Sequence, residues 1–127
     1  MASSQMWSYR DTMLTQQNLT GLSVEAIDGS IGKIDDATND VDASFVVVDT
    51  GPWIFGKKVM LPAGVLGRVD LDTETVFVNR TKEQIKNAPA YEEDKHRGDD
   101  TYRDRYRTDL GSYYGPGGAG YRDDDVL

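Results

Sequence analysis

Turn signals punctuate residues 19–90 every eight to twelve residues, and that spacing limits what this chain can fold into. Between two such signals there is room for a strand of five or six residues, but not for a helix of three turns. In Leu22-Ser23-Val24-Glu25-Ala26 the apolar side chains take every second position, the period of a half-buried strand. Asp28-Gly29 follows as a tight-turn dipeptide, because glycine takes positive φ without cost. Ile31 to Ala37 reads as a second strand. Its apolar spacing slips from two to three between Ile31 and Ile34, and Gly32 inside the slip predicts a bulge.

Phe45-Val46-Val47-Val48 is apolar on both faces, as a central strand covered on both sides must be. Asp49-Thr50-Gly51-Pro52 ends it. Residues 53–62 read as a strand, a turn at Gly56 and a second strand through Lys58-Val59-Met60-Leu61-Pro62. Val65 to Leu71 alternates, Asp72-Thr73-Glu74 turns, and Val76-Phe77-Val78 closes a hairpin. Thr81-Lys82-Glu83-Gln84 is a capping box opening a short helix; Ile85 and Ala88 share one face of it and Pro89 ends it. The expected fold is all-β: a small barrel of about six strands with a short C-terminal helix and flexible tails.

Composition marks the boundaries. Residues 1–18 show no sustained period and read as a flexible lead-in. Residues 19–90 hold nearly all the aliphatic side chains and form the domain. Residues 91–127 carry six of the seven tyrosines among Arg, Gly and Asp, with Leu110 and Val126 as the only large aliphatics before the terminal Leu127. So few aliphatics predict an acidic, disordered tail, because the apolar area does not offset the entropy of ordering it. Its removal is expected to leave folding untouched. A core of this size without staples gains stability by pairing, so a homodimer is expected.

The run Gly21-Leu22-Ser23-Val24, Asp28-Gly29 and Ile31-Gly32-Lys33-Ile34-Asp35-Asp36 resembles the opening hairpin of PRC-barrel domains. The resemblance continues in Phe45 to Asp49, in Lys58-Val59-Met60-Leu61-Pro62 and in Thr81 to Pro89. It covers about residues 19–90 and neither tail. It implies the small β-barrel found in the photosynthetic reaction-centre H subunit, in a ribosome maturation factor and in free-standing bacterial proteins. It further implies a barrel that docks onto other proteins and is not catalytic by itself. The chain shows neither the membrane helix of the first nor the partner domain of the second, so the free-standing class is the best match.

The remaining residues narrow the chemistry. Net charge is −8, which disfavours direct nucleic-acid binding and anionic membranes. There is no cysteine, no run of about 20 apolar residues and no signal-like N-terminus, so a cytoplasmic location without a membrane span is expected. The single histidine, His96, lies in the tail, where nothing fixes it as a base. Asp35, Asp36, Asp40 and Asp42 form an acidic loop. It lacks the glycine and the terminal bidentate Glu of a calcium loop, so a solvated face is the simpler reading. Gly29-Ser30-Ile31-Gly32-Lys33 lacks phosphate-loop spacing and sits in a hairpin. No catalytic residue, cofactor or metal site is expected.

The candidate partner-binding residues are Trp53, Ile54, Phe55, Lys57 and Lys58, three large apolar side chains beside a positive rim. The alternative at the same residues is that Trp53 or Phe55 caps the barrel end. The expected function is a non-enzymatic adaptor or accessory module, with a stress association implied by the free-standing members. Two rival readings are a ribosome-assembly accessory factor and a photosynthetic or electron-transport accessory protein.

Overall fold

The computed structural model describes residues 6, 7, 9, 18–38, 44–51, 58–89, 91, 98, 100–115 and 117–120. Six strands form a single sheet: β1 (Ser23–Ala26), β2 (Gly29–Ala37), β3 (Phe45–Asp49), β4 (Lys58–Pro62), β5 (Leu66–Asp70) and β6 (Thr75–Val78). Their order is β4-β3-β2-β1-β6-β5. Neighbours pair antiparallel except β1 and β6, which run parallel. The two outermost strands, β4 and β5, are consecutive in the chain and joined by one buried 3-10 turn, Ala63–Val65. Backbone bonds from Ala63 N to Ser44 O (3.0 Å) and from Asn79 N to Val65 O (3.0 Å) fasten that turn to β3 and to the end of β6. The sheet therefore curves until its edges meet at a corner. Among the described residues no ladder closes β4 onto β5, so the architecture is barrel-like and open.

The slip in β2 is a bulge. Val24 pairs with Gly32 and Glu25 with Ser30, so Ile31 is the extra residue. Gly32 has φ 147°, and a Cβ there would stand 2.0 Å from the Asp49 carbonyl oxygen. Only glycine lets the end of β3 come this close. The bulge turns both Ile31 and Ile34 inward, where they are 1% and 2% exposed. β3 is covered on both sides, as its sequence demands: Val46 and Val48 are buried on one face, and Val47, buried on the other, pairs with buried Met60.

Beyond β6, helix α1 (Lys82–Lys86) starts at the predicted capping box. Thr81 Oγ1 accepts from Gln84 N (3.1 Å) and Gln84 Oε1 accepts from Thr81 N (2.9 Å). Asp28, in the β1–β2 turn, accepts from Lys82 N at 2.8 Å and so fastens that turn to the same helix. Ile85 points into the core.

The ends of the chain depart from expectation. Helix α2 (Asp100–Tyr114) occupies the middle of the segment expected to be a disordered tail. Tyr106, Leu110 and Tyr114, one helical turn apart, are buried in the same core cluster as the strands. Within the segment expected to be a flexible lead-in, Met6 and Trp7 join that cluster and Ser44 N donates to Trp7 O (2.8 Å). The expectation failed because it counted aliphatics. A tyrosine buries as much area as a leucine once its hydroxyl has somewhere to go. Tyr106 donates to Pro89 O (3.0 Å), Tyr113 to Gln84 O (2.7 Å) and Tyr9 to Thr38 O.

Candidate interaction surface

The sheet register carries one polar residue from every strand in a single row. Asp70 of β5 faces Thr75 of β6, which faces Ser23 of β1; Ser23 faces Lys33 of β2, which faces Asp49 of β3, which faces Lys58 of β4. Lys33 and Asp49 are exposed, while Lys58, Ser23 and Asp70 are half-buried. On the β2–β4 side the charges alternate in sign, Asp49 standing between Lys33 and Lys58. The next row holds Arg68, Phe77 and Glu25. Here the Arg68 guanidinium lies 4.2 Å from the Phe77 ring centroid and covers it.

Of the partner-binding residues read from sequence, Trp53, Ile54, Phe55 and Lys57 lie outside the described residues. Lys58 is described, and its Nζ donates to Asp35 Oδ2 at 2.8 Å, so its charge is shared with the acidic loop. The loop itself is only partly described. Asp35 holds Lys58, Asp36 Oδ1 accepts from Ala37 N (2.9 Å), and Asp40 and Asp42 lie outside the described residues. Among the described residues no three His, Cys, Asp or Glu side chains come together. Among the described residues the large exposed apolar side chains are Ile27 (50%) and Leu71 (44%). Ile27 follows β1 and Leu71 precedes β6, its parallel neighbour, so they sit at opposite ends of the sheet and form no common patch.

A second cluster was not read from sequence. Arg80 is fully buried: Nη1 donates to Asn79 O (2.7 Å), Nη2 donates to Tyr114 O (3.1 Å), and Cζ lies 5.6 Å from the Tyr114 ring centroid. The cation thus sits at the carbonyl end of α2, the negative end of the helix dipole. Trp7 packs on the other flank of α2, with the Arg107 guanidinium 5.0 Å from its ring centroid. Tyr91 and Tyr102 extend the cluster, their ring centroids 5.9 and 6.0 Å from that of Tyr106. Burial pushes the Tyr9 hydroxyl up to about 12 and pushes Tyr106 and Tyr114 up further, Tyr114 against the opposing pull of Arg80. Tyr113 is raised too, by burial and then by Glu83. These phenols are therefore neutral at ordinary pH rather than phenolates: Tyr9, Tyr106 and Tyr113 are donors, and Tyr114, whose buried hydroxyl has no partner among the described residues, is a packing group. The spacing Tyr102, Tyr106, Leu110, Tyr114 was the available signal; no comparable signal marks Arg80 or Trp7.

No family model matches the chain. It is similar to an uncharacterized protein of Deinococcus radiodurans, 33% identical over 82 residues, which are 61% of this chain and 29% of that protein. The chain thus spans under a third of that relative's length. Among solved structures it is similar to a Pseudomonas aeruginosa protein assigned to 16S ribosomal RNA processing, RimM, at TM-score 0.43 and 20% identity. The likeness covers 51% of this chain and 42% of that one.

Proposed function

We propose that the chain is a non-enzymatic docking module that acts through the outer face of its sheet, as an adaptor or accessory to another protein. One observation carries this reading: the sorting of side chains between the two sides of the sheet. The inward positions Val24, Ile34, Val46, Val48, Leu61, Leu66, Val76 and Val78 are aliphatic and almost fully buried. Of the six-strand row, Asp70, Ser23, Lys33, Asp49 and Lys58 present charge and a hydroxyl outside, while Thr75 is buried and donates to Thr73 O. Alternating charges fixed on a rigid sheet favour recognition of a complementary polar face. The resemblance of residues 19–90 to PRC-barrel domains supports the same reading. It also supplies the finer one, an accessory role in ribosome assembly, with a photosynthetic or electron-transport accessory as the other rival. A cytoplasmic location, a stress association and self-pairing belong to the proposal as well. No helix among the described residues is long and apolar enough to cross a membrane.

The test is affinity isolation of the full chain after mild cross-linking, beside a Lys33→Glu/Lys58→Glu variant. The reading expects a defined partner that disappears when the row's lysines are reversed, at unchanged melting temperature. A partner retained in full by the variant excludes the row as the docking face. Co-sedimentation with small ribosomal subunits at low and moderate salt separates the ribosomal version from the general one.

A further inference from the structure

The sequence of α2 is a poor helix by itself. Between Asp100 and Tyr114 it contains four tyrosines, two threonines, a serine, three aspartates and Gly111. All of these rank low in helix propensity, and a helix of this length is marginal in water even when built from alanine. Its order therefore comes from what it packs on. Gly111, its poorest interior residue, stands where Trp7 packs: a Cβ there would lie 3.3 Å from the indole Nε1. The helix gives up propensity at the point where the N-terminal segment must fit.

Trp7 is equally dependent. It belongs to no regular strand, and its described partners are α2, through Gly111 and Arg107, and the start of β3, through the Ser44 amide. The hydrogen bonds that join α2 to the domain include Arg80 Nη2 to Tyr114 O, Tyr113 to Gln84 O and Tyr106 to Pro89 O. Each of these has a side chain on at least one end and reaches α1 or its flanks. None is a rung of the sheet. Two segments from opposite ends of the chain thus order each other on the side of a sheet that has its own ladder.

We propose that α2 and Trp7 form a latched strap. The two dock together, open together while the six-stranded sheet stays paired, and in opening uncover the Arg80 guanidinium and the apolar seat of Tyr106, Leu110 and Tyr114. This does not rest on the docking reading above. It assigns the chain a second state, in which a cation now sealed against the C-terminal carbonyl of α2 becomes available to solvent.

Native-state hydrogen exchange on the full chain tests it without mutation. Low concentrations of denaturant separate partial openings from global unfolding. Three amides are expected to share one opening constant: those of Leu110 and Tyr114 in α2 and that of Ser44, which donates to Trp7 O. That constant should be at least a hundredfold larger than the one governing the Val24, Ile34 and Val76 amides. In Trp7→Phe, exchange in α2 should accelerate at least tenfold with the sheet amides unchanged. If α2 and the sheet exchange on one common isotherm, there is no strap. If α2 opens while the Ser44 amide stays protected, Trp7 is not its latch.

Discussion

Gly32 shows how closely one residue can be dictated by the backbone around it. A side chain there meets two obstacles: a φ of 147° and the Asp49 carbonyl oxygen 2.0 Å from where its Cβ would fall. That oxygen belongs to the β3 backbone and cannot swing away as a flexible side chain would. Gly32→Ala should therefore lower stability by about 2 kcal/mol or more, read as a fall in the urea midpoint at unchanged slope. Arg80 is constrained differently. Its guanidinium is buried against Asn79 O and Tyr114 O, and its stem is buried with it. Removing the side chain leaves a hole and the Tyr114 carbonyl without its donor. Replacing it with a flexible apolar chain refills the hole and removes the cost of burying a charge. Arg80→Ala should cost about 3 kcal/mol and Arg80→Met less than half of that. Equal losses in the two variants would mean that the charge, not the packing, holds the site.

At the scale of elements, the parts readable from sequence were those whose pattern repeats along the element itself. β1 and β3 declare themselves by period and by β-branched content, α1 by a capping box three residues wide, and the β2 bulge by a glycine inside a slipped period. α2 was missed for a physical reason. Aliphatic content underestimates a helix that buries tyrosines, and the four-residue spacing from Tyr102 to Tyr114 becomes meaningful only once something is present to bury it. Trp7 and Arg80 were unreadable because a single residue has no period, and their partners lie far away in the chain. The importance of α2 is measurable. Leu110 is fully buried, so Leu110→Ala should cost about 3 kcal/mol. Thr108→Ala on the exposed face of the same helix should stay within about 0.5 kcal/mol. Truncation before Asp100 should lower the melting temperature and shift Trp7 fluorescence to the red, because that truncation uncovers Trp7 along with the core. An unchanged melting temperature would restore the view of residues 91–127 as a dispensable tail.

The whole molecule joins these elements through phenols, and that makes its stability depend on pH at the alkaline end. Tyr9, Tyr106 and Tyr114 are held neutral by burial, Tyr9 up to about 12 and the other two higher, against 10.0 for a free phenol. Below that free value both folded and unfolded chains keep these protons, and pH has no leverage through them. Above it the unfolded chain releases protons that the folded chain retains, so unfolding becomes steadily more favourable. The loss begins near pH 10 and continues through the raised folded values, Tyr9 levelling off first near 12. Tyr106 and Tyr114, the more deeply buried, should each contribute a slope approaching about 1.4 kcal/mol per pH unit, and the half-buried Tyr9 less. Tyrosinate absorbance followed from pH 9 to 12.5 should therefore rise in two stages. The first stage precedes ionisation of Tyr106 and Tyr114 and leaves the fold in place. A later, steeper rise should coincide with loss of the helical circular dichroism of α2, which carries Tyr106 and Tyr114, and with release of Trp7. A single smooth titration of all seven tyrosines near 10, with the fold intact throughout, would show that α2 does not seal Tyr106 and Tyr114 from water.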